Sequence, residues 1–80
     1  MTRREIDEKV RTFLTDDLEI DEDKVSDDAR LKEDMGVDSL EFVDIVATVE
    51  KNFGFRIKLG EMQGVSTLSQ LCDYIERNVR

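Results

Sequence analysis

The sequence predicts an all-α fold, a small four-helix bundle with a long first loop and a short third helix. Three observations support this prediction: the chain is short, it contains no proline, and its longest segments place apolar residues at helical spacing. Connections between the later helices are also short, which favours one compact bundle of neighbouring helices. With 80 residues in total, we expect residues 1–80 to form a single domain.

Charge and composition exclude several classes of function. The chain has 20 acidic and 12 basic residues, a formal net charge of -8, whereas proteins that bind nucleic acid carry a basic patch or stripe. We therefore expect no nucleic acid as partner and instead expect partners with basic patches, reached by electrostatic steering. No apolar run is long enough to insert across a membrane. The single Cys72 cannot form an internal disulfide and no signal-peptide pattern is present, so a cytoplasmic protein is expected. We also expect the protein to be a monomer.

The first helix is predicted to begin after Thr2. Thr2 can cap this helix, and Glu5, three residues later, is the reciprocal partner in a capping box. An apolar stripe at helical spacing follows and is expected to face the core. It consists of Ile6, Val10, Phe13 and Leu14. The helix is expected to end near residues 15–17.

A long acidic connection, residues 19–34, follows the first helix. It contains eight acidic and three basic residues, a net charge of -5. Loops of this length in compact domains are usually functional or fixed by their own side chains. We expect its apolar residues to anchor it across the helix ends. These residues are Ile20, Val25, Ala29, Leu31 and Met35.

The acidic residues of this loop also suggest a calcium site. Asp21, Asp23 and Asp27 resemble alternate positions of an EF-hand loop. However, Ser26 replaces the required glycine and Lys32 occupies the place of the bidentate glutamate. We therefore expect no dedicated metal site, and loose binding of divalent cations by the acidic cluster is the alternative.

The second helix is predicted from Ser39 to about Phe53, with Asp38 as its N-cap and Gly54 just beyond its end. Two rows of apolar residues run along it. The first row, which we expect to be buried, consists of Phe42, Ile45, Val46, Val49 and Phe53. The second row consists of Leu40, Val43 and Ala47, and the acidic residues of the same helix are Glu41, Asp44 and Glu50. Because one buried face needs only the first row, the second row predicts a surface that meets another molecule.

The last part of the chain predicts two further helices. A short, weak helix is expected around residues 60–63 and is ended by Gly64. Ser66 or Thr67 then caps the last helix, and Thr67 forms another capping box with Gln70. The residues of this helix expected to face the core are Leu68, Leu71, Cys72, Ile75 and Val79.

The residues offer no catalytic arrangement. The chain has no histidine, so neither a Ser-His-Asp nor a Cys-His arrangement can form within it. Cys72 lies on the apolar stripe of the last helix, where a cysteine is usually a small buried hydrophobe. No cluster has the residue types or spacing of a zinc site. Ser39 by itself is typical of a helix cap, although Asp38 is already well placed to cap.

Residues 34–40, Asp-Met-Gly-Val-Asp-Ser-Leu, and the acidic, apolar helix after them closely resemble the acyl carrier protein family. The family signature is D-x-G-x-D-S-L. It is matched here by Asp34, Gly36, Asp38, Ser39 and Leu40. The resemblance covers the whole chain and implies the acyl carrier bundle. It also implies a non-catalytic carrier whose Ser39 bears a covalent 4′-phosphopantetheine, with Asp38 as helix cap and part of the motif.

The resemblance further implies the partners. A phosphopantetheinyl transferase would install the group from coenzyme A with Mg2+, and acyl-transfer, ketosynthase and related enzymes with basic patches would use it. The implied docking surface consists of Leu40, Glu41, Val43, Asp44, Ala47 and Glu50. The cargo would be acyl groups, held as thioesters, of fatty-acid or specialised lipid or polyketide biosynthesis. An aminoacyl or peptidyl carrier, and a small acidic interaction protein whose serine is never modified, stay open as alternatives.

Two departures from the fatty-acid pattern of this family leave the pathway open. Lys51 and Asn52 follow Glu50, where the family usually continues with acidic residues. The region of the third helix, residues 58–64, is also usually acidic but here begins with Lys58 and contains a single acidic residue. These changes agree with a carrier role and put in question whether the partners are the general fatty-acid enzymes.

Overall fold

A computed structural model describes residues 1–79 of the chain. The main helices are, in chain order, α1 (Arg3–Thr12), α2 (Ser39–Phe53), a 3-10 helix (Leu59–Gly64), called the 3-10 helix below, and α3 (Leu68–Asn78). The long loop also contains a short 3-10 turn, Glu22–Lys24. Between residues 1 and 79 there is no β-strand, and the isolated antiparallel bridge found there joins Arg30 to Thr67. The predicted all-α bundle with a long first loop and a short third helix is confirmed. None of the helices described has the length and apolarity needed to cross a bilayer.

The start of α1 has the predicted capping box. The Glu5 N–H donates to Thr2 Oγ1 at 3.2 Å, and the Thr2 N–H donates to Glu5 Oε1 at 3.0 Å. The Thr2 N–H, followed by the Thr2 hydroxyl, lowers the pKa of the Glu5 carboxyl group, because both favour its charged form. Beyond Thr12 the helix continues as a π-helical turn, Phe13–Asp17, so the helical segment ends where the sequence predicts.

One core joins the helices to the long loop. The loop residues predicted as anchors are buried, except Ile20, which is partly buried. Val37 and Tyr74 are buried as well, although neither belongs to a predicted stripe. Four further residues predicted to be buried are only partly so: Phe13, Phe42, Val46 and Val79. Val79, predicted as part of the last helix, lies directly after its end, where the backbone is extended. For Phe13 and Phe42 the reason is that each lines a cleft on the surface of the core.

Arg3 ties α1 to α3. Its guanidinium donates to the carboxylates of Asp73 and Glu76 and to the Ser69 carbonyl, and within α1 it donates to Asp7. Arg3 therefore does more than occupy the solvated face of α1, because it connects this helix to α3. This network holds the first and last helices together on the side of the bundle that closes the core.

Candidate functional site

The turn that leads into α2 is built from residues of the signature block. Gly36 has φ 72°, in the left-handed region that glycine adopts without a steric penalty. Asp34 Oδ2 accepts the Arg30 N–H at 2.8 Å. Val37 is buried, and its N–H donates to the Leu31 carbonyl at 2.8 Å. These contacts fix the point and the direction from which α2 begins.

Asp38 is the N-cap of α2 and forms a capping box with Glu41. The Glu41 N–H donates to Asp38 Oδ1 at 2.8 Å, and the Asp38 N–H donates to Glu41 Oε1 at 3.2 Å. Glu41 was predicted only as a surface charge, although its spacing from Asp38 is that of a capping box. Glu41 therefore supports the start of α2 in addition to placing a negative charge near it.

Ser39 is the first residue of α2, and it is exposed. Within residues 1–79 its Oγ takes part in no hydrogen bond, and the backbone N–H groups of Ser39 and Leu40 have no acceptor. Free N–H groups at a helix N-terminus, together with the helix dipole, favour a negatively charged group. The residues present therefore fit a phosphodiester on the Ser39 hydroxyl, which neither the cap nor the core uses.

A cleft of about 510 Å³ opens beside Ser39, between the start of α2, the long loop and the 3-10 helix. Its apolar lining consists of Leu31, Phe42, Leu59, Met62 and Val65. Leu59 is 65% exposed whereas Met62 is 3% exposed, so apolar surface continues from solvent to the core. A second cleft of about 460 Å³ lies between α1 and α2, and its lining does not include Ser39.

The second apolar row of α2 faces solvent. Leu40 is 79% exposed and Val43 is 62% exposed, and Ala47 and Asp44 are exposed with them. The two remaining residues of the predicted docking surface, Glu41 and Glu50, are half-buried. Glu50 Oε2 accepts the Ile57 N–H at 2.7 Å, so this carboxylate also stabilises the turn after α2.

The acidic loop brings no metal-ligand set together in the part of the chain that is described. Within residues 1–79 no group of three acidic or cysteine side chains is arranged to hold a metal ion. Asp27, one of the three aspartates compared with an EF-hand loop, forms an ion pair with Arg11 at 2.6 Å.

Tyr74, which was not among the predicted site residues, contributes to the surroundings of the site. Its hydroxyl donates to Glu61 Oε1 at 2.8 Å and accepts the Lys58 N–H at 3.3 Å. These bonds join α3 to the segment that forms one wall of the cleft beside Ser39. Its position in the sequence could have indicated that it is buried. Tyr74 lies three residues after Leu71 and directly before Ile75, at the edge of the predicted core stripe.

Comparison with known proteins agrees with this geometry. A family model described as the phosphopantetheine attachment site matches residues 8–75. The acyl carrier protein of Thermotoga maritima is 35% identical over 78 residues, which cover 98% of this chain and 96% of the relative. The chain belongs to the acyl carrier protein family. Acyl carrier proteins of Akkermansia muciniphila (36% identical over 77 residues, 96% of each chain) and Guillardia theta (35% over 79 residues, 99% of this chain and 98% of the relative) are similar to it over the same extent.

Membership of the acyl carrier protein family tests two predictions made from the sequence, the non-catalytic role and the cofactor. Acyl carrier proteins are non-catalytic, so the prediction of a carrier rather than an enzyme is confirmed. Their cofactor is 4′-phosphopantetheine, and this prediction is confirmed as well. The family in general is served by a phosphopantetheinyl transferase and by partner biosynthetic enzymes.

Proposed function

We propose that this acyl carrier protein is one carrier domain, residues 1–80, and that it carries acyl groups on a 4′-phosphopantetheine arm attached to Ser39. The observation that supports this attachment most directly is the exposed, unbonded Ser39 hydroxyl beside two free N–H groups. When bound, the arm supplies a terminal thiol that holds acyl groups as thioesters. The N–H groups of Ser39 and Leu40 hold the phosphodiester, and Asp38 and Glu41 keep the helix start in place.

The cleft beside Ser39 supports an acyl cargo. Leu31, Phe42 and Met62 offer apolar walls near the attachment point, and each methylene group buried against such walls gains about 0.8 kcal/mol. An acyl chain that folds back from the arm into this cleft is shielded from water, and its thioester is less accessible to hydrolysis. Apolar walls favour this cargo over a polar aminoacyl group.

The exposed row of α2 supports a docking role. Asp44 and Glu41 attract basic patches over some distance, which speeds encounter without requiring tight binding. Leu40, Val43 and Ala47 provide apolar contact once the partner arrives, and Glu50 lies at the edge of the same surface. This combination suits a carrier that meets several enzymes in turn.

We further propose that the partners belong to specialised lipid or polyketide biosynthesis rather than to general fatty-acid synthesis. Residues 58–80 carry three basic and three acidic residues, a net charge of zero. Lys58 and Gln63 are exposed. They therefore present a positive and a neutral side chain to solvent in a region where the fatty-acid pattern of the family is usually acidic. A like charge facing a basic patch disfavours that partner.

Incubation with coenzyme A, Mg2+ and a phosphopantetheinyl transferase tests the attachment site. The intact mass of the wild type is expected to rise by one phosphopantetheine group, and that of Ser39→Ala to stay unchanged. Ser66→Ala is the matched control, because Ser66 lines the same cleft and should leave modification intact. Modification of Ser39→Ala would contradict Ser39 as the attachment site. A wild type that is not modified would favour the alternative of a small acidic interaction protein whose serine never carries the arm.

A further inference from the structure

Tyr74 on α3 holds the whole segment that connects α2 to the 3-10 helix. Its hydroxyl binds Glu61 Oε1 at 2.8 Å and the Lys58 N–H at 3.3 Å. Its ring centroid lies 6.1 Å from that of Phe55, with the two planes inclined at 54°. The side chain is only 3% exposed. A single buried residue therefore contacts the segment at three points within residues 55–61.

The 3-10 helix has few other restraints. Neither of its ends has a side-chain cap, it contains Gly60 and Gly64, and 3-10 hydrogen bonds have poorer geometry than those of an α-helix. Within residues 1–79 the bond between Tyr74 and Glu61 is its only side-chain hydrogen bond to another helix. Burial of Met62 also positions it, and its flanks are fixed by the Ile57 N–H bound to Glu50 and by the Ser66 carbonyl bound to the Leu31 N–H. The hydroxyl of Tyr74 supplies the side-chain hydrogen bond that ties the helix itself to α3.

We propose that the Tyr74 hydroxyl is a positioning group that limits how far the 3-10 helix moves from α2, and thereby sets the length of acyl chain held beside Ser39. The inference rests on the proposed function, since it takes the cleft as the acyl site. Leu59 and Met62 form the wall that belongs to the 3-10 helix, and Phe42 belongs to the wall of α2. A shift of the 3-10 helix therefore changes the width of the cleft. Tyr74 does not line the cleft and acts through Glu61 and the Lys58 backbone.

Substitution of Tyr74 by phenylalanine isolates this effect. Tyr74→Phe keeps the buried ring and its contact with Phe55, and it removes both hydrogen bonds of the hydroxyl. Loss of a hydrogen bond of this kind changes an opening equilibrium by about fivefold. Glu61 is exposed, so its carboxylate returns to water without leaving a buried charge. The variant is therefore expected to fold with a more movable 3-10 helix.

The test loads the wild type and Tyr74→Phe with a series of acyl chains, from butyryl to tetradecanoyl, by transferase treatment with the matching acyl-coenzyme A. The rate of thioester cleavage by hydroxylamine is then measured for each chain. Thioesters of the chains that the wild type protects are expected to be cleaved about fivefold faster in Tyr74→Phe, because the cleft opens more often. Thioesters of the longest chains are expected to be cleaved more slowly in Tyr74→Phe than in the wild type, because the wall formed by the 3-10 helix moves away and admits them.

Three control variants separate a positioning role from general loss of stability. Glu61→Gln keeps an acceptor for the Tyr74 hydroxyl and should follow the wild type, whereas Glu61→Ala should follow Tyr74→Phe. Arg3→Met weakens the junction of α1 and α3 without touching the cleft, so it should speed cleavage of every chain or of none. The distinguishing result is a crossing of rates along the chain-length series, which only release of the wall produces.

Two results would overturn the proposal in different ways. Equal rates in the wild type and Tyr74→Phe at every chain length, or a uniform acceleration like that of Arg3→Met, would remove the role of Tyr74 and leave the carrier function standing. A wild type whose cleavage rate does not depend on chain length would show that the cleft holds no acyl chain. That result would overturn the role of Tyr74 and the proposed acyl role of the cleft, while failure of the loading step itself would overturn the proposed carrier function.

Discussion

Arg11 on α1 forms an ion pair with Asp27 in the long loop, with Nη2 and Oδ1 2.6 Å apart. Its other terminal nitrogen donates to the Val25 carbonyl at 3.0 Å, and the Asp27 carbonyl accepts the Ser69 N–H at 2.9 Å. The loop is thus fixed to α1 by one side chain and to the start of α3 by its own backbone. Polar contacts as well as apolar anchors hold it over the helix ends.

Arg11→Met is expected to lower the free energy of unfolding by about 1 kcal/mol. The ion pair is partly exposed and contributes little, so most of the loss comes from the Val25 carbonyl, which is left without its donor. Urea unfolding followed by circular dichroism measures the change. Arg4→Met is the control, because Arg4 is 89% exposed and its loss should stay within about 0.5 kcal/mol. Equal stability of the two variants would show that the contacts of Arg11 do not hold the loop.

Added salt is expected to raise the melting temperature. The chain carries a net charge of -8, of which residues 19–34 contribute -5, and salt or millimolar Mg2+ screens this repulsion. Salt also weakens the exposed ion pairs, but these contribute little to stability. A salt titration followed by circular dichroism tests the sign, with the double variant Glu22→Gln and Asp28→Asn expected to respond less. A melting temperature independent of salt would contradict self-repulsion.

Asp44→Lys is expected to slow modification by the transferase by about tenfold at low salt, because it reverses a charge that steers a basic partner. Circular dichroism must first show unchanged helix content. Asp23→Lys, the same charge reversal in the loop, is the control and should have a much smaller effect. For Glu41 the suitable change is Glu41→Gln, which removes the charge and retains an acceptor for the Asp38 N–H. Wild-type rates in Asp44→Lys would exclude this face of α2 from docking.

Cys72 is expected to be unreactive in the folded protein. Burial, followed by the nearby Asp7 carboxylate, raises the pKa of Cys72 from 9.0 to about 12, so almost no thiolate is present near neutral pH. Iodoacetamide should label the apo protein only after unfolding in urea, and should label the folded, phosphopantetheinylated protein once, on the arm. Cys72→Ala should give the same labelling in the folded state. Labelling of folded apo protein would contradict the burial of this thiol.

The raised pKa of Cys72 also predicts how the free energy of unfolding changes at alkaline pH. The pKa of Cys72 is higher in the folded than in the unfolded chain, so its contribution to stability is fully present below about pH 9 and is lost as the pH rises toward about 12. The free energy of unfolding of the wild type should therefore fall more steeply over this range than that of Cys72→Ala. Parallel curves for the two proteins would contradict the sign of the shift.

The double variant Lys58→Glu and Gln63→Glu is expected to improve acyl transfer by a generic malonyl transferase or ketosynthase by about tenfold at low salt. Only the backbone N–H of Lys58 binds Tyr74, so exchange of the side chain leaves this contact in place. Lys24→Glu with Ser26→Glu, the same charge change in the long loop, is the control. A wild type already as active as a general carrier, with a double variant no better, would show that these positions do not set partner choice.

The helix ends were predictable because their signals are local. Thr2 with Glu5 and Thr67 with Gln70 form the expected capping boxes, and Gly54 ends α2 with φ 73°. Each of these structures depends on residues within one helical turn. The resemblance of residues 34–40 likewise pointed to Ser39 before any geometry was known.

Contacts between distant segments were not predictable. Nothing near Arg11 in the sequence marks the Val25 carbonyl as its partner, and nothing near Tyr74 marks Glu61. Helical spacing also cannot say whether a neighbouring element covers a given side chain. Phe42 lies on the inward row of α2 but is only partly buried, because the 3-10 helix leaves a cleft over it.

The unbonded hydroxyl of Ser39 has a consequence for the order of events in the life of the protein. The start of α2 depends on Asp38 and Glu41, so esterification of Ser39 breaks no contact of the scaffold within residues 1–79. In the proposed function, folding and loading are therefore separable, and a transferase would receive a substrate that already has its final shape. Removal of the arm likewise returns an intact scaffold that is ready to be loaded again.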